Sequence, residues 1–312
     1  MTTSIKTPQL FSEPRLDHVA QLIGRTPLYE ITRAWSKPGV RILAKLEWQQ
    51  LGGSVKSRPA FHILKAAIET GALRPGQRLL DATSGNTGIA YASIGAALGI
   101  PVSLCLPENA SPERIQILRS LGVELILTSK YEGTDGAQMV AKERFADDPG
   151  RYFYADQYAN EANWRAHYDT TAVEIWEQTE GQISHFVAGL GTTGTFTGVG
   201  RRLKEYRTDI QLVALQPNNP LHGLEGWKHL ETAIVPPIYA PDLADRYAEA
   251  DTEAAYATIK HVAQTEGLLL SPSAAANLNG AVDLARDLDE GLIVTTFADD
   301  SAKYAEVYRH IF

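Results

Sequence analysis

Cysteine is almost missing from this chain: one residue, Cys105, in 312. An internal disulfide framework is thereby excluded, and such usage fits a reducing cytoplasm. Cys105 lies in the apolar run Val102-Ser103-Leu104-Cys105-Leu106, so a buried structural thiol is expected rather than a nucleophile. Positive charge is also short. The 29 Lys and Arg against 37 Asp and Glu leave a net charge of −8, which argues against general affinity for nucleic acid or an anionic membrane. No apolar run approaches the roughly 18 residues that cross a bilayer. The opening Met-Thr-Thr-Ser-Ile-Lys-Thr-Pro-Gln-Leu has no hydrophobic signal core, so a cytoplasmic protein is expected. The eight histidines show no close metal-ligand pairing. Glu225 and His229 are four apart, a single pair that carries little weight, and no metal site is expected. Internal repeats and low-complexity tracts are absent too.

What is present is an ordinary globular composition, long enough for one large domain or two moderate ones. Residues 1–20 read as a loose arm, and Gly24-Arg25-Thr26-Pro27-Leu28 as a turn entering a short apolar stretch. From there apolar runs and amphipathic stretches alternate. Strands are expected at 41–47, 78–82, 102–106, 123–127, 185–188, 211–215 and 292–297. Helices are expected at 55–69, 88–98, 111–121, 134–145, 164–178, from the loop after 188 to Tyr206, at 252–266 and at 273–288. Ser111-Pro112-Glu113 supplies an N-cap followed by proline at the first helical position. The rhythm implies βαβ units and an α/β fold of mostly parallel sheet. The polar stretch Tyr154–Asn163 breaks it and reads as a crossing between two subdomains. A segment from about Pro217 to Asp245 has little periodicity, and loops that long are usually functional.

Three loops stand out. In the first, Gly52-Gly53-Ser54-Val55-Lys56, a strand leads through a turn to a lysine at the start of a helix. Helix N-termini disfavour cations. Lys56 is either a solvated lysine beside a flexible loop or one whose charge is absent or shared, as in a Schiff base to an aldehyde cofactor. Burial lowers a lysine pKa from about 10.4 and makes the amine a nucleophile and base. The second loop, Thr83-Ser84-Gly85-Asn86-Thr87-Gly88, offers hydroxyls, an amide and N–H groups at a helix start. It suits a carboxylate or phosphate, or is simply a well-capped turn. The third, Gly189-Leu190-Gly191-Thr192-Thr193-Gly194-Thr195, combines close backbone approach with hydroxyl donors. It contains Gly-x-Gly-x-x-Gly, but a dinucleotide site wants an acid about 20 residues on. Ala214, Leu215 and Gln216 stand there.

In this order and spacing the three motifs, with Arg58 after the lysine, resemble the cysteine synthase family. These are pyridoxal-phosphate enzymes of the tryptophan-synthase-β fold (fold type II), and the resemblance runs from about Gly24 to Tyr304. Asp156-Gln157-Tyr158 and Asn163-Trp164-Arg165 are most similar to the B-type branch, O-acetylserine sulfhydrylase B and its O-phosphoserine-using relatives. The resemblance implies two subdomains, each a mostly parallel twisted sheet flanked by helices: a smaller mobile one over 46–158, and a larger one over 14–45 and 159–312. It implies that Lys56 carries pyridoxal 5'-phosphate, that Asn86 meets the cofactor's phenolic oxygen, and that Gly191, Thr192, Thr193, Gly194 and Thr195 hold its phosphate. Thr83, Ser84, Thr87 and Gln157 would bind the amino acid's carboxylate, and Ser273 would face the pyridine nitrogen. A homodimer is implied as well.

Three departures accompany it. Ser57 replaces the usual aspartate, which leaves Arg58 without its family partner. Ser271-Pro272-Ser273-Ala274-Ala275-Ala276 replaces Gly-x-Ser-Ser-Gly-Ala, with Ser271 a substitute for the missing serine. Lys228 stands near the place of an arginine that meets the substrate phosphate in O-phosphoserine users, and reads equally as a solvated loop lysine. The activity implied is a β-replacement making L-cysteine from O-acetylserine or O-phosphoserine and sulfide or another thiol donor. A sister β-replacement or β-elimination enzyme, and a catalytically degraded cofactor-binding regulator, are the alternatives.

Overall fold

The computed structural model describes residues 13–83 and 85–312. The chain begins with α1 (Glu13–Ala20), β1 (Leu28–Ile31) and β2 (Val40–Leu46), followed by α2 (Ser57–Glu69). Next come β3 (Arg78–Ala82), α3 (Asn86–Leu98), β4 (Val102–Pro107), α4 (Pro112–Ser120), β5 (Glu124–Thr128), α5 (Gly133–Asp147) and β6 (Tyr152–Tyr154). Then α6 (Glu161–Ala166), a π-helical turn (His167–Thr171) and α7 (Ala172–Gln178) run on from one another. The rest is β7 (His185–Gly189), α8 (Gly194–Tyr206), β8 (Gln211–Pro217), a 3-10 turn (Pro241–Leu243), β9 (Arg246–Ala250), α9 (Thr252–Thr265), α10 (Pro272–Arg286), β10 (Gly291–Phe297), a second 3-10 turn (Ser301–Lys303) and α11 (Ala305–Ile311).

The strands form two sheets, of order β1-β2-β10-β7-β8-β9 and β5-β4-β3-β6. Among the described residues every strand pairing is parallel except the hairpin of β1 with β2. The fold is the expected α/β class. Parallel sheets are covered on both faces, and the side chains show it. In the larger sheet Ile42, Val187, Val213 and Ile293 pack under α9 and α10, while Phe186, Leu212 and Val294 pack under α7 and α8. In the smaller sheet Leu79, Val102 and Leu104 face α2 and α3, and Leu80, Ala82 and Cys105 face α5. Cys105 is buried, and burial pushes its thiol up to about 12, so it behaves as the structural residue expected.

Several expectations change. Part of the supposed loose arm is helical: α1 inserts Leu16 and Val19 into the core of the smaller sheet. Residues 1–12 of that arm lie outside the described residues. The helix expected at 164–178 starts at Glu161 and contains the π-helical turn. β6 and β9 were not foreseen. β6 has three residues, and β9 is an edge strand whose Arg-Tyr-Ala-Glu-Ala sequence is largely exposed. Ligands of open parallel sheets gather beyond the carboxyl ends of the strands. Here β2, β3, β7 and β10 deliver the turn before Lys56, the Thr83 loop, the Gly191 loop and residues 298–299 respectively.

Candidate active site

Lys56 occupies the N-cap position of α2. The turn before it is pinned to the larger sheet, because Val55 N donates to Ala298 O at 2.8 Å. Burial holds the Lys56 amine down at about 8, with the nearby Asp299 charge pulling the other way. Ser57 is fully buried, and among the described residues its Oγ has no hydrogen-bond partner. Ser57 leaves Arg58 without its family partner, and the structure pairs it with two carboxylates instead. Its Nε and Nη2 donate to Glu47 Oε2 and Oε1 at 2.7 and 2.8 Å, and its Nη1 and Nη2 to Glu174 Oε1 and Oε2 at 2.7 and 2.8 Å. Lys45 Nζ lies 2.7 Å from Glu174 Oε2, and Thr26 Oγ1 donates to Glu47 Oε1 at 2.7 Å. Burial opposes the charge of Glu174, yet Arg58 and Lys45 together hold its carboxyl down at about 2. This network, fully buried but for Glu174 at 16% side-chain exposure, fixes the first turn of α2, and with it Lys56.

The second loop is organised by Thr83 and Gln157. Thr83 Oγ1 accepts from Gly85 N at 3.0 Å and Gly88 N at 3.3 Å. Thr87 Oγ1 donates to Gln157 Oε1 at 2.7 Å, and Gln157 Nε2 donates to Ala82 O at 2.6 Å. Gly85 has φ +145°, and a Cβ there would stand 2.4 Å from Arg114 Cδ, so only glycine fits. Ser84, assigned to the carboxylate by resemblance, lies outside the described residues. Asn86 Nδ2 donates to Asp299 Oδ2 at 2.8 Å, while Asn86 Oδ1 is buried and unpartnered.

The third loop ends β7 and opens α8. Asn163 ties it to the second loop, donating from Nδ2 to Gln157 O at 2.6 Å and to Thr192 Oγ1 at 3.2 Å. Gly191 is required by packing, since a Cβ there would come within 2.0 Å of Gly226 O. Thr193, the N-cap of α8, holds the left-handed conformation at φ +70°, costly for a branched residue. Its hydroxyl is buried without a partner. His167, in the π-helical turn, reaches Thr195 Oγ1 with Nε2 at 3.2 Å and Thr171 Oγ1 with Nδ1 at 2.9 Å. Burial keeps its pKa well below the ordinary value and so keeps the ring neutral.

All three loops line one cavity of about 340 Å³. Lys56, Asn86, Thr83, Thr87 and Gln157 contribute from one side, and Gly191, Thr192, Thr195 and Ser273 from the other. Thr193 and Gly194 are buried within the same loop but do not line the cavity. Ser273, not Ser271, faces it; Ser271 Oγ instead caps α10 through Ala274 N at 3.2 Å and lies 3.2 Å from Ser273 Oγ. Lys228 also lines the cavity, but not as a solvated loop lysine. It is buried, 2.6 Å from Asp135 Oδ1, with its ammonium 5.2 Å from the Tyr158 ring centre. Beside it Arg114 pairs with Glu225 and lies over the Tyr304 ring. Among the described residues no group of three or more His, Cys, Asp and Glu could hold a metal ion, and no helix is long and apolar enough to cross a membrane.

A lysine amine on the cavity wall, the buried carboxamide oxygen of Asn86 with no partner among the described residues, and the Thr192 and Thr195 residues at a helix N-terminus together fit an aldehyde cofactor bearing a phosphate. The family model for pyridoxal-phosphate dependent enzymes matches residues 19–299, and the chain belongs to that family, with pyridoxal phosphate as its cofactor. It is 45% identical over 293 residues to the cysteine synthase of Aquifex aeolicus (strain VF5), covering 92% of this chain and 90% of that one. Among solved structures it resembles cysteine synthase from Entamoeba histolytica (TM-score 0.88, 31% identity, 99% of this chain and 94% of that chain). It resembles O-ureido-L-serine synthase to the same degree (TM-score 0.88, 31% identity, 94% and 95%).

Glu47, Glu174, His167, Arg114, Asn163 and Asp299 are the site residues that sequence reasoning missed as partners. Asp299 alone carried a usable signal: an acid two positions beyond the end of an apolar strand in an α/β chain.

Proposed function

We propose that this chain makes L-cysteine by β-replacement on an O-activated L-serine with sulfide. One observation carries the reading: the Lys56 amine shares a cavity with Thr83, Thr87 and Gln157 and with the Thr-rich loop at the start of α8. Lys56, Asn86, Ser273 and the 191–195 loop would hold pyridoxal phosphate, which supplies the electron sink that makes the α-proton acidic. Thr83, Thr87 and Gln157 receive the substrate carboxylate and fix the α-carbon in one pose. Lys56 Nζ takes the α-proton, and an amine titrating near 8 is poised for that work close to neutral pH. The Arg58 network keeps Nζ in place while this happens. Ser273 is uncharged, so it does not force a proton onto the group it meets.

Closure of the 46–158 region over the cavity would exclude water from the reacting atoms. The chain acts as a cytoplasmic homodimer in this reading, supported by the common occurrence of two-fold oligomers. Light scattering that returned a monomer mass at micromolar concentration would contradict the dimer. The activity is tested by offering O-acetyl-L-serine and sulfide and measuring cysteine. The likeness to O-ureido-L-serine synthase favours a second reading, in which another nucleophile replaces sulfide. Turnover of O-acetyl-L-serine without sulfide incorporation would select it.

A further inference from the structure

The mechanism above leaves a buried carboxylate unused. Asp299 stands just beyond β10 and is fully buried. The bond from Val55 N to Ala298 O sets this stretch against the residue before Lys56. Oδ2 accepts from both Asn86 Nδ2 and Tyr304 Oη at 2.8 Å. Among the described residues Oδ1 is buried without a partner, as is Asn86 Oδ1. Lys303 Nζ is 3.8 Å from Oδ2, but it donates to Gly53 O, in the turn before Lys56, at 2.8 Å. A buried carboxylate with an unsatisfied oxygen is costly unless a cation answers it.

We propose that Asp299 is a positioning residue of the reaction: it fixes the carboxamide of Asn86 with Nδ2 turned toward the carboxylate, and it is the counter-charge of Lys56 whenever that amine carries a proton. The proposal rests on Lys56 being the cofactor-bearing base. The titratable groups whose fields reach Lys56 are Asp299, after β10, and His167, in the π-helical turn. Burial keeps His167 neutral, so Asp299 supplies the charge. Around Asp299 itself stand Lys303, Tyr304 and, over the Tyr304 ring, Arg114.

The test uses the full-length protein stripped of cofactor and reloaded with pyridoxal phosphate at a series of pH values. Only the neutral amine attacks the aldehyde, so the reloading rate of the parent rises through a midpoint near 8. Asp299→Asn keeps an acceptor for Asn86 and Tyr304 but removes the charge. Its midpoint is expected to fall by roughly one pH unit, since an opposite charge nearby raises an ammonium pKa by about that much or more. Asp299→Ser, a second charge-free variant, is expected to fall likewise. Asp299→Ala also removes the acceptor, so the visible band of its bound cofactor should move from the parent's position, while that of Asp299→Asn should stay. Reloading of Asp299→Asn and Asp299→Ser at the parent's midpoint overturns the proposal. A Lys56→Ala protein that still forms the covalent adduct overturns the reading beneath it instead.

Discussion

Two sets of carboxylate–cation pairs flank Lys56, and they are built from the same chemistry with different access to water. Beneath α2, Arg58 and Glu47 are both fully buried, and Lys45 and Glu174 complete a balanced group of two cations and two anions. At the cavity rim, Arg114 pairs with Glu225 and Lys228 with Asp135, and there the carboxylates keep 41% and 28% of their side-chain surface exposed. The buried set joins β2, α2 and α7 and cannot part without stranding a charge. The rim set joins the first turns of α4 and α5, which cover the smaller sheet, to the long segment between β8 and β9. Water can solvate Glu225 and Asp135 when those pairs separate. The access of each carboxylate to water, not the number of ion pairs, distinguishes the two sides of Lys56.

The largest expected effect lies at the point between the two sets. Lys56→Ala should lower sulfide-dependent cysteine formation by at least ~10³-fold, because the carrier and the base are lost together; a fully active variant would end the reading. Next comes the buried set: Arg58→Met should cost about 3–5 kcal/mol in urea unfolding, the penalty for uncompensated buried charge. Acid sharpens the same point. Glu174 titrates at about 2 against an ordinary 4.5, so its contribution is complete above about pH 4.5 and is lost as the pH falls toward 2. That contribution is on the order of 3 kcal/mol, and unfolding curves of Arg58→Met should lack the increment.

The rim effects are smaller. If Lys228 can leave Asp135 to meet a substrate phosphate, Lys228→Ala should cost on the order of 1.5–3 kcal/mol in kcat/KM with O-phosphoserine and little with O-acetylserine. Equal losses for both donors remove Lys228 from substrate binding. Glu225→Gln should change stability by less than about 1 kcal/mol. A loss as large as that of Arg58→Met would erase the distinction between the two sets.

Local chemistry was legible in the sequence, and long-range partnership was not. Lys56, the Thr83 loop and the Gly191 loop announce themselves because each packs its signal into a few consecutive residues between a strand and a helix. Arg58 looked unpaired because the expected partner was adjacent, whereas Glu174 is 116 positions away. Lys228 was read as a choice between solvent and substrate, and Asp135, 93 positions earlier, supplies a third outcome. β9 escaped notice because an exposed edge strand carries no apolar alternation, and α1 because one short turn of apolar spacing is a weak signal. The degraded-regulator alternative arose from Ser57 and the 271–276 stretch. Ser273 nevertheless lines the cavity, and Arg58 is anchored without an acid at position 57.

The strand order has a consequence for how the chain is born. β10, the last strand among the described residues, lies between β2, which it pairs over Gly291–Phe297, and β7, which it pairs over Ile293–Thr295. The four-stranded sheet is complete once Tyr154 has left the ribosome, and it can consolidate during synthesis. The six-stranded sheet cannot. Until residues 291–297 emerge, the β1–β2 hairpin and the β7–β8–β9 group are two fragments with unpaired edges facing one gap. Such edges invite mispairing. The nascent chain is therefore exposed to mispairing until residues 291–297 emerge, and that single strand joins the two halves of the larger sheet and sets Ala298 against Val55, beside Lys56, in one step.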